Sequence, residues 1–220
     1  MKEFSRQLYF VANGSLPIVL FCVGFAAIVT ILEASFHMKL VIQNDSMVPG
    51  FAALLILREL GPVVTALLLT SRVGAGFTAE VGLMKTTEQI DALRMLGIDP
   101  VQYLVVPRLI ATIVGTFLLA LLASMTCLLG AMFVTDIHLG YSPAMFLSSM
   151  RVFVDFQDLL LAGLKGAVFG AVIPLVSCHF GFLCEEGAEG VGKATTQSVV
   201  VSSVSIIVLD FILSYVFSYV

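Results

Sequence analysis

Charged residues are scarce in this sequence, and they are not gathered into a patch. Asp, Glu, Lys and Arg together make up 12% of the 220 residues, and the eleven Lys and Arg are dispersed along the chain. Proteins that bind nucleic acid concentrate basic residues on one face to meet the phosphate backbone. The composition therefore excludes nucleic acid as a partner of this chain.

Residues that commonly bind metal ions or act as nucleophiles are also few. The three histidines are isolated from one another, and the four cysteines lack the spacing of a zinc site. The cysteines fall in or beside apolar runs, where we expect them to be buried and reduced: Cys22, Cys127, Cys178 and Cys184. No nucleophile lies at a suitable spacing from a base, which argues against an intramembrane enzyme. The sequence predicts no metal site, no catalytic residue and no cofactor bound by this chain.

A nucleotide site is excluded as well. The segment 187–193, GAEGVGK, nearly matches the phosphate-binding loop G-x-x-x-x-G-K-[ST]. However, Ala194 stands where that loop needs a magnesium-binding hydroxyl, no apolar strand precedes the segment, and an apolar run follows it. We interpret the glycines as a tight turn, with Lys193 at the inner membrane interface before the last apolar run.

Apolar residues dominate the composition. They make up 59% of the chain, and the mean hydropathy is +1.06, well outside the range of soluble proteins. A helix needs about 20 apolar residues to cross a bilayer. The sequence predicts an all-α integral membrane protein, a single domain over 1–220 with five transmembrane helices. They are expected at about 16–32, 48–79, 109–134, 159–182 and 199–220.

Lys and Arg near the span ends predict the orientation, because cytoplasmic loops are enriched in these residues. An N-terminus on the inside places seven of them inside: Lys2, Arg6, Arg72, Lys85, Arg94, Arg108 and Lys193. Outside lie Lys39 and Arg151, with Lys165 just within the outer end of the fourth span. Since five spans put the two ends on opposite sides, the C-terminus is predicted outside.

Charged residues interrupt two of the apolar runs. In the second run Arg58 and Glu59 are adjacent and are followed by Gly61 and Pro62; in the fifth run Asp210 stands alone. A charge at the centre of a spanning helix costs roughly 2.5–3.5 kcal/mol, so such residues usually face protein or a water-filled cavity. Proline lacks a backbone N–H and favours an irregular wall. We predict that these five residues line a substrate path.

Asp210 needs a way to avoid an unpaired charge inside the membrane. We expect it either to be protonated or to bond a neighbouring hydroxyl, such as that of Ser205 or Ser214. Both a structural contact between helices and a direct transport role are compatible with the sequence.

A polar stretch after the second run predicts a short amphipathic helix over about 87–96. Thr86 to Gln89 has the form of a capping box at a helix start, and Gly97 supplies a stop. The predicted apolar anchors of this helix are Ile90, Leu93 and Leu96. The predicted polar rim around them consists of Glu88, Asp91 and Arg94. Such a helix suits docking in a groove of a soluble partner. The alternative is a helix that rests on lipid headgroups.

Two further patterns concern packing. Ser142 and Pro143 predict the start of an amphipathic helix in the loop between the third and fourth spans, at the outer surface. This helix would anchor the chain at the membrane interface or contact an external partner. Gly166 and Gly170, four residues apart, predict a close approach between the fourth span and another helix.

Several of these segments closely resemble the MlaE family, the permease subunits of ABC transporters that move phospholipid between the membranes of diderm bacteria. The matching segments are RELGPVV at 58–64, TAEVGLMKTTEQIDAL at 78–93, DPVQYLVVPR at 99–108, GVGKATT at 190–196 and LDF at 209–211. The resemblance runs through almost the whole chain and is most specific in the central block, 58–107.

The resemblance implies an MlaE-like permease fold and a homodimer in the bacterial inner membrane, with a cytoplasmic N-terminus and a periplasmic C-terminus. It implies phospholipid transport between inner and outer membranes, which maintains the lipid asymmetry of the outer membrane. The implied partners are a cytoplasmic ABC ATPase, which would bind ATP and Mg²⁺, and a periplasmic lipid-binding protein with an MCE domain. The chain itself would be a non-catalytic subunit, and its helix over 87–96 would be the coupling helix to the ATPase.

Two interpretations of Arg58 and Glu59 stay open. Adjacent helix positions point about 100° apart, so the two side chains do not pair with each other. They would form interhelical salt bridges that fix the packing, or they would contact the phosphate and amine of a lipid headgroup across a cavity between two second spans. Arginine suits phosphate because its planar group donates two parallel hydrogen bonds.

A different class of function also fits the intramembrane carboxylates. A secondary transporter or channel would use Glu59 or Asp210 as a proton-linked group, although such folds often contain internal repeats and we find none. Whether the purified chain brings down an ATPase distinguishes the two classes.

Overall fold

The computed structural model describes the backbone of residues 2–41 and 48–218. The side chains of Lys2 and Lys39, whose charges contribute to the predicted orientation, lie outside the described residues. Within the two ranges no strand occurs, so this part of the chain is all-α, as predicted. In chain order its helices are α1 (2–41), α2 (Val48–Thr86), α3 (Gln89–Met95), α4 (Val101–His138), α5 (Pro143–Phe153), α6 (Phe156–Leu183) and α7 (Gly187–Ser218).

Five of these helices, α1, α2, α4, α6 and α7, are long and apolar enough to cross a membrane, which confirms the prediction. In the most apolar stretches of α2 and α6, 50% of the residues are buried within the chain, against 11% in α7. Helices α2 and α6 therefore form the centre of the bundle and α7 lies at its edge. The short helices α3 and α5 lie before and after α4, and we call the two ends of the bundle the α3 end and the α5 end.

Helix α2 is irregular around its charged residues. The segment Ile56–Val64 is π-helical, and Pro62 within it has no N–H to donate. A second π-helical segment, Thr70–Gly74, follows one turn later. Such wide turns are frequent at functional sites. The irregular helical segment expected from Gly61 and Pro62 is therefore present, and it includes Arg58 and Glu59.

The capping box predicted before α3 does not form. Helix α2 continues to Thr86, beyond the predicted end at 79, because Phe77 and Val81 are buried in the bundle. The hydroxyls of Thr86 and Thr87 therefore donate to the carbonyl of Leu83, at 3.0 and 2.8 Å, and satisfy the end of α2. Helix α3 starts at Gln89 without a side-chain cap.

The other two predicted helix signals are confirmed. Gly97 has a left-handed backbone, with φ of 74°, and its N–H donates to the carbonyl of Arg94, which ends α3. At the start of α5 the hydroxyl of Ser142 accepts from the N–H of Met145 at 3.4 Å, and Pro143 occupies the first turn. The buried face of α5 packs on the start of α2, where the N–H of Gly50 donates to Ser149 Oγ.

Glycines of α6 allow it to lie directly against α4. A Cβ on Gly170 would lie 2.7 Å from the carbonyl oxygen of Thr112 and 3.0 Å from Cα of Ile113. A Cβ on Gly166 would lie 2.8 Å from that of Ala120. The predicted small-residue contact is therefore confirmed, and its partner is α4.

This contact predicts a difference between two alanine substitutions. Gly170→Ala should lower the free energy of unfolding by about 1–3 kcal/mol, because the new methyl group meets backbone that cannot move alone. Gly24→Ala in α1 is the matched control, since nothing lies within 4 Å of its Cβ position. Thermal unfolding in detergent measures both. Equal unfolding temperatures for the two variants would contradict the close contact.

Candidate functional site

Five charged side chains meet inside the bundle. They belong to α2, α6 and α7 and are Arg58, Glu59, Asp158, Lys165 and Asp210. We call these five side chains, together with the hydroxyl of Ser214, the charged cluster. At 1.5 Å per residue, Arg58 lies about 15 Å along α2 from its start at Val48. The cluster is thus within the membrane-spanning part of the bundle, in the half nearer the α5 end.

Lys165 is the centre of the cluster and is fully buried. Its Nζ donates to the carbonyl of Arg58 at 2.8 Å, to both carboxylate oxygens of Glu59 at 3.1 Å, and to Ser214 Oγ at 2.7 Å. The same Nζ lies 2.6 Å from Asp210 Oδ1 as an ion pair. One ammonium group therefore joins three helices.

The partner of Asp210 differs from the one predicted. The sequence predicts either a protonated Asp210 or a bond to a hydroxyl such as that of Ser205 or Ser214. Of these hydroxyls, Ser205 donates to the carbonyl of Val201 within its own helix, and Ser214 donates to Glu59 Oε1 at 3.0 Å. The contact of Asp210 is Lys165 on α6. A pattern along α7 alone cannot reveal a partner on another helix.

Arg58 and Glu59 take different partners, consistent with their 100° separation. Arg58 Nε donates to Asp158 Oδ1 at 2.6 Å, and the other oxygen of that buried carboxylate accepts from the backbone N–H of Asp155 at 2.8 Å. Asp158 lies in the first turn of α6, in a capping box with Asp155. Interhelical ion pairs are therefore present at both positions.

The cluster also has an open half. The side chain of Arg58 is 42% exposed and that of Glu59 is 40% exposed, whereas Asp158 and Lys165 are buried. Gly61 and Pro62 do not share this exposure: both are buried, and Gly61 packs against Ser124 on α4. The open half is thus formed by the charged pair, which can contact a group outside this chain.

Lys165 and Asp158 are the members of the cluster that sequence reasoning missed. From its position in the sequence, Lys165 is predicted just within the outer end of the fourth span. Asp158 is predicted at the end of the loop before that span. A signal was available for Lys165, because a lysine inside an apolar run, next to Gly166, is expected to face the bundle interior. For Asp158 the sequence offers no comparable signal.

A second ion pair lies closer to the α3 end. Arg108 of α4 is buried and its Nη2 donates to Glu80 Oε2 of α2 at 2.7 Å. The guanidinium also lies over the ring of Phe77, with 5.3 Å to the centroid. Glu80 is about 30 Å along α2 from Glu59, at 1.5 Å per residue, so this pair is independent of the charged cluster.

The structure changes the outward face predicted for α3. Ile90, proposed as an anchor for a partner, is buried against Val81, Val105 and Cys178 and holds α3 to the bundle. Leu96, which was also predicted as an anchor, is exposed at 74%, and Met95, which was not predicted, is exposed at 89%. Helical spacing in the sequence identified the apolar residues of α3. It did not show which of them are buried against the bundle.

The remaining residues proposed around α3 lie at its surface. Leu93 is half-buried, and Asp91 and Arg94 form an exposed ion pair at 3.0 Å. Glu88 is exposed and has a left-handed backbone, with φ of 59°, which is uncommon for a residue with a side chain. The segment 187–193, predicted to be a tight turn, is the helical start of α7, and Lys193 within it is exposed and lies 4.0 Å from Glu185.

Comparisons with known proteins agree along almost the whole chain. The family described as Permease MlaE matches residues 4–216. A probable ABC transporter permease protein of Rickettsia typhi is 35% identical over 95% of this chain and 80% of its own length. One from Synechocystis is 35% identical over 96% of this chain and 80% of its own length. The chloroplast protein trigalactosyldiacylglycerol 1 of Arabidopsis thaliana is 39% identical over 76% of this chain and 48% of its own length.

Proposed function

This chain belongs to the MlaE permease family of ABC transporters, and from that membership we propose that it carries phospholipid between the inner and outer membranes of a diderm bacterium. It is a multi-pass membrane protein whose family works with a partner ATPase. We propose that it resides in the inner membrane and serves to maintain the lipid asymmetry of the outer membrane. ATP and Mg²⁺ would be bound by the ATPase.

The open half of the charged cluster is the observation that carries this proposal. A guanidinium and a carboxylate that are each about two-fifths exposed cannot face lipid tails without a large cost. We therefore propose that they face a polar space outside this chain and not lipid tails. A phospholipid headgroup fits such a space, because its phosphate accepts hydrogen bonds from arginine. Arg58, Glu59 and Asp210 are the proposed substrate-path residues.

The same exposure supports a homodimer. On the side of α2 that carries the open half, Phe51 and Leu55 are also exposed, so this face of a central helix is not covered by the chain itself. We propose that two copies place these faces opposite each other across a lipid-holding cavity. In the complete transporter, a Leu55→Cys substitution should then allow the two copies of this chain to be crosslinked to each other. A strict monomer in a functional complex would contradict the dimer.

The proposed partners lie at opposite ends of the bundle. The ATPase would bind at the α3 end, which also carries Lys85, Arg94 and Lys193 and is therefore proposed to be cytoplasmic. The periplasmic MCE-domain protein would bind at the α5 end. Family membership favours this arrangement over a secondary transporter or channel that uses Glu59 or Asp210.

A double substitution tests the substrate path. Arg58→Gln with Glu59→Gln should give a folded, ATPase-bound dimer that copurifies with about threefold less phospholipid, the loss expected when roughly 0.7 kcal/mol of binding is removed. Folding should survive because the amide that replaces Arg58 can still donate to Asp158, and the amide that replaces Glu59 can still accept from Lys165. The substitution removes one positive and one negative charge, so the net charge of the cluster is unchanged.

Lipid bound per dimer is measured by mass spectrometry. Glu33→Gln with His37→Gln is the control, since it alters an exposed pair on α1 that is not part of the cluster. Normal lipid content and normal transport in the Arg58, Glu59 variant would remove both residues from the substrate path.

A further inference from the structure

The charged cluster contains one more negative than positive group. Arg58 and Lys165 supply two positive charges, whereas Glu59, Asp158 and Asp210 supply three carboxylates. Within the membrane-spanning part of a bundle a surplus charge is unfavourable, because the low dielectric weakens screening. With all five groups ionised the cluster carries a net charge of −1, which either one proton or one further positive group would balance.

The hydrogen bonds show where the surplus lies. Asp158 is satisfied on both oxygens, by Arg58 and by the N–H of Asp155. Glu59 and Asp210, in contrast, share the single ammonium of Lys165, and its three hydrogens already serve the carbonyl of Arg58, Glu59 and Ser214. The unmatched negative charge therefore belongs to Glu59 and Asp210, and Glu59 is the more exposed of the two.

The open half places opposite charges on neighbouring residues. Arg58 is held by its Nε, and its exposed guanidinium lies one residue from the exposed carboxylate of Glu59. A ligand that completes this arrangement has an acceptor for the guanidinium of Arg58 and a positive group for the carboxylate of Glu59. A phosphate that bears an ethanolamine has both.

We infer that the open half of the charged cluster selects zwitterionic aminophospholipid, with the ammonium at Glu59 and the phosphate at Arg58, over lipid of net negative charge. This inference rests on the proposed function, because it names the headgroup class that the same path takes. The ammonium supplies the missing positive charge. An anionic headgroup such as phosphatidylglycerol adds a second negative charge instead.

Competition between two lipids tests the inference. The complete transporter, purified with its ATPase, is incubated with equimolar phosphatidylethanolamine and phosphatidylglycerol of identical acyl chains. The bound lipids are then quantified by mass spectrometry. We expect about fivefold enrichment of phosphatidylethanolamine, the size that one partly exposed ion pair supports. Glu59→Gln should bring the ratio close to one.

Glu80→Gln is the matched control, because it removes a paired glutamate from the same helix far from the cluster, and it should keep the fivefold ratio. If Glu59→Gln does not fold, Asp210→Asn makes the same test, since it removes the other carboxylate on Lys165.

Each outcome separates this inference from the proposed function. Equal binding of the two lipids by the unmodified transporter would overturn the inference and mean that a proton or the second copy neutralises the surplus, while phospholipid transport would still stand. An enrichment that survives both Glu59→Gln and Asp210→Asn would also overturn it. If neither lipid binds or is transported, the proposed function fails.

Discussion

Replacing Lys165 by methionine is expected to lower the free energy of unfolding by about 3–5 kcal/mol, the loss typical of removing one partner from a buried ion pair. Methionine has a similar length and fills the same space, so the effect isolates the charge. Without the ammonium, Glu59 and Asp210 face each other unpaired, and the contact that joins α2, α6 and α7 is lost. Thermal unfolding in detergent measures the change.

A second lysine supplies the control for this result. Lys193 is 63% exposed and lies 4.0 Å from Glu185, so Lys193→Met should change the free energy of unfolding by less than about 0.5 kcal/mol. Combining Lys165→Met with Glu59→Gln and Asp210→Asn should recover much of the lost stability, because no unpaired charge remains. A single Lys165→Met variant as stable as the unmodified protein would show that the cluster does not hold the helices together.

Changing Met95 and Leu96 together to aspartate is expected to reduce ATP hydrolysis by the assembled transporter more than about tenfold. These are the most exposed apolar residues of the α3 end, and a few such anchors usually supply most of the energy of an interface, about 2 kcal/mol or more each. We propose that they fill a groove of the ATPase. Copurification of the ATPase with the tagged chain, and its hydrolysis rate, measure the effect.

The conservative exchange Met95→Leu with Leu96→Met is the matched control and should retain the ATPase, because both positions stay apolar. Ile90→Ala should act differently: it loosens α3 from the bundle and reduces stability, since Ile90 is buried against α2, α4 and α6. If the double aspartate variant copurifies with a fully active ATPase, α3 does not dock through these residues.

Much of the fold could be predicted from the sequence, because it depends on interactions between residues close together in the chain. Five apolar runs of sufficient length predict five spanning helices, and Ser142 and Gly97 mark helix ends by local hydrogen bonds. The capping box before α3 failed for a non-local reason. Burial of Phe77 and Val81 extends α2 to Thr86 and places both threonines at its end.

The candidate site divides in the same way. Charges inside apolar runs identified Arg58, Glu59 and Asp210 without any structure, because an ionisable residue in a spanning helix stands out against its neighbours. The residues that pair with these three could not be recognised in the sequence. Asp158 and Lys165 lie about a hundred positions from Arg58 and Glu59 in the chain, and helical periodicity carries no information on which helices meet.

The sequence by itself therefore determined that this is an all-α membrane protein of the MlaE type with charges inside its spans, since composition and local spacing decide which helices form. Only the tertiary structure decided that one buried ammonium joins three helices, that half of the charged cluster stays open, and that Ile90 faces inward while Met95 faces out. The physical reason is that hydrogen bonds and burial between helices depend on packing geometry, which brings together residues far apart in the chain.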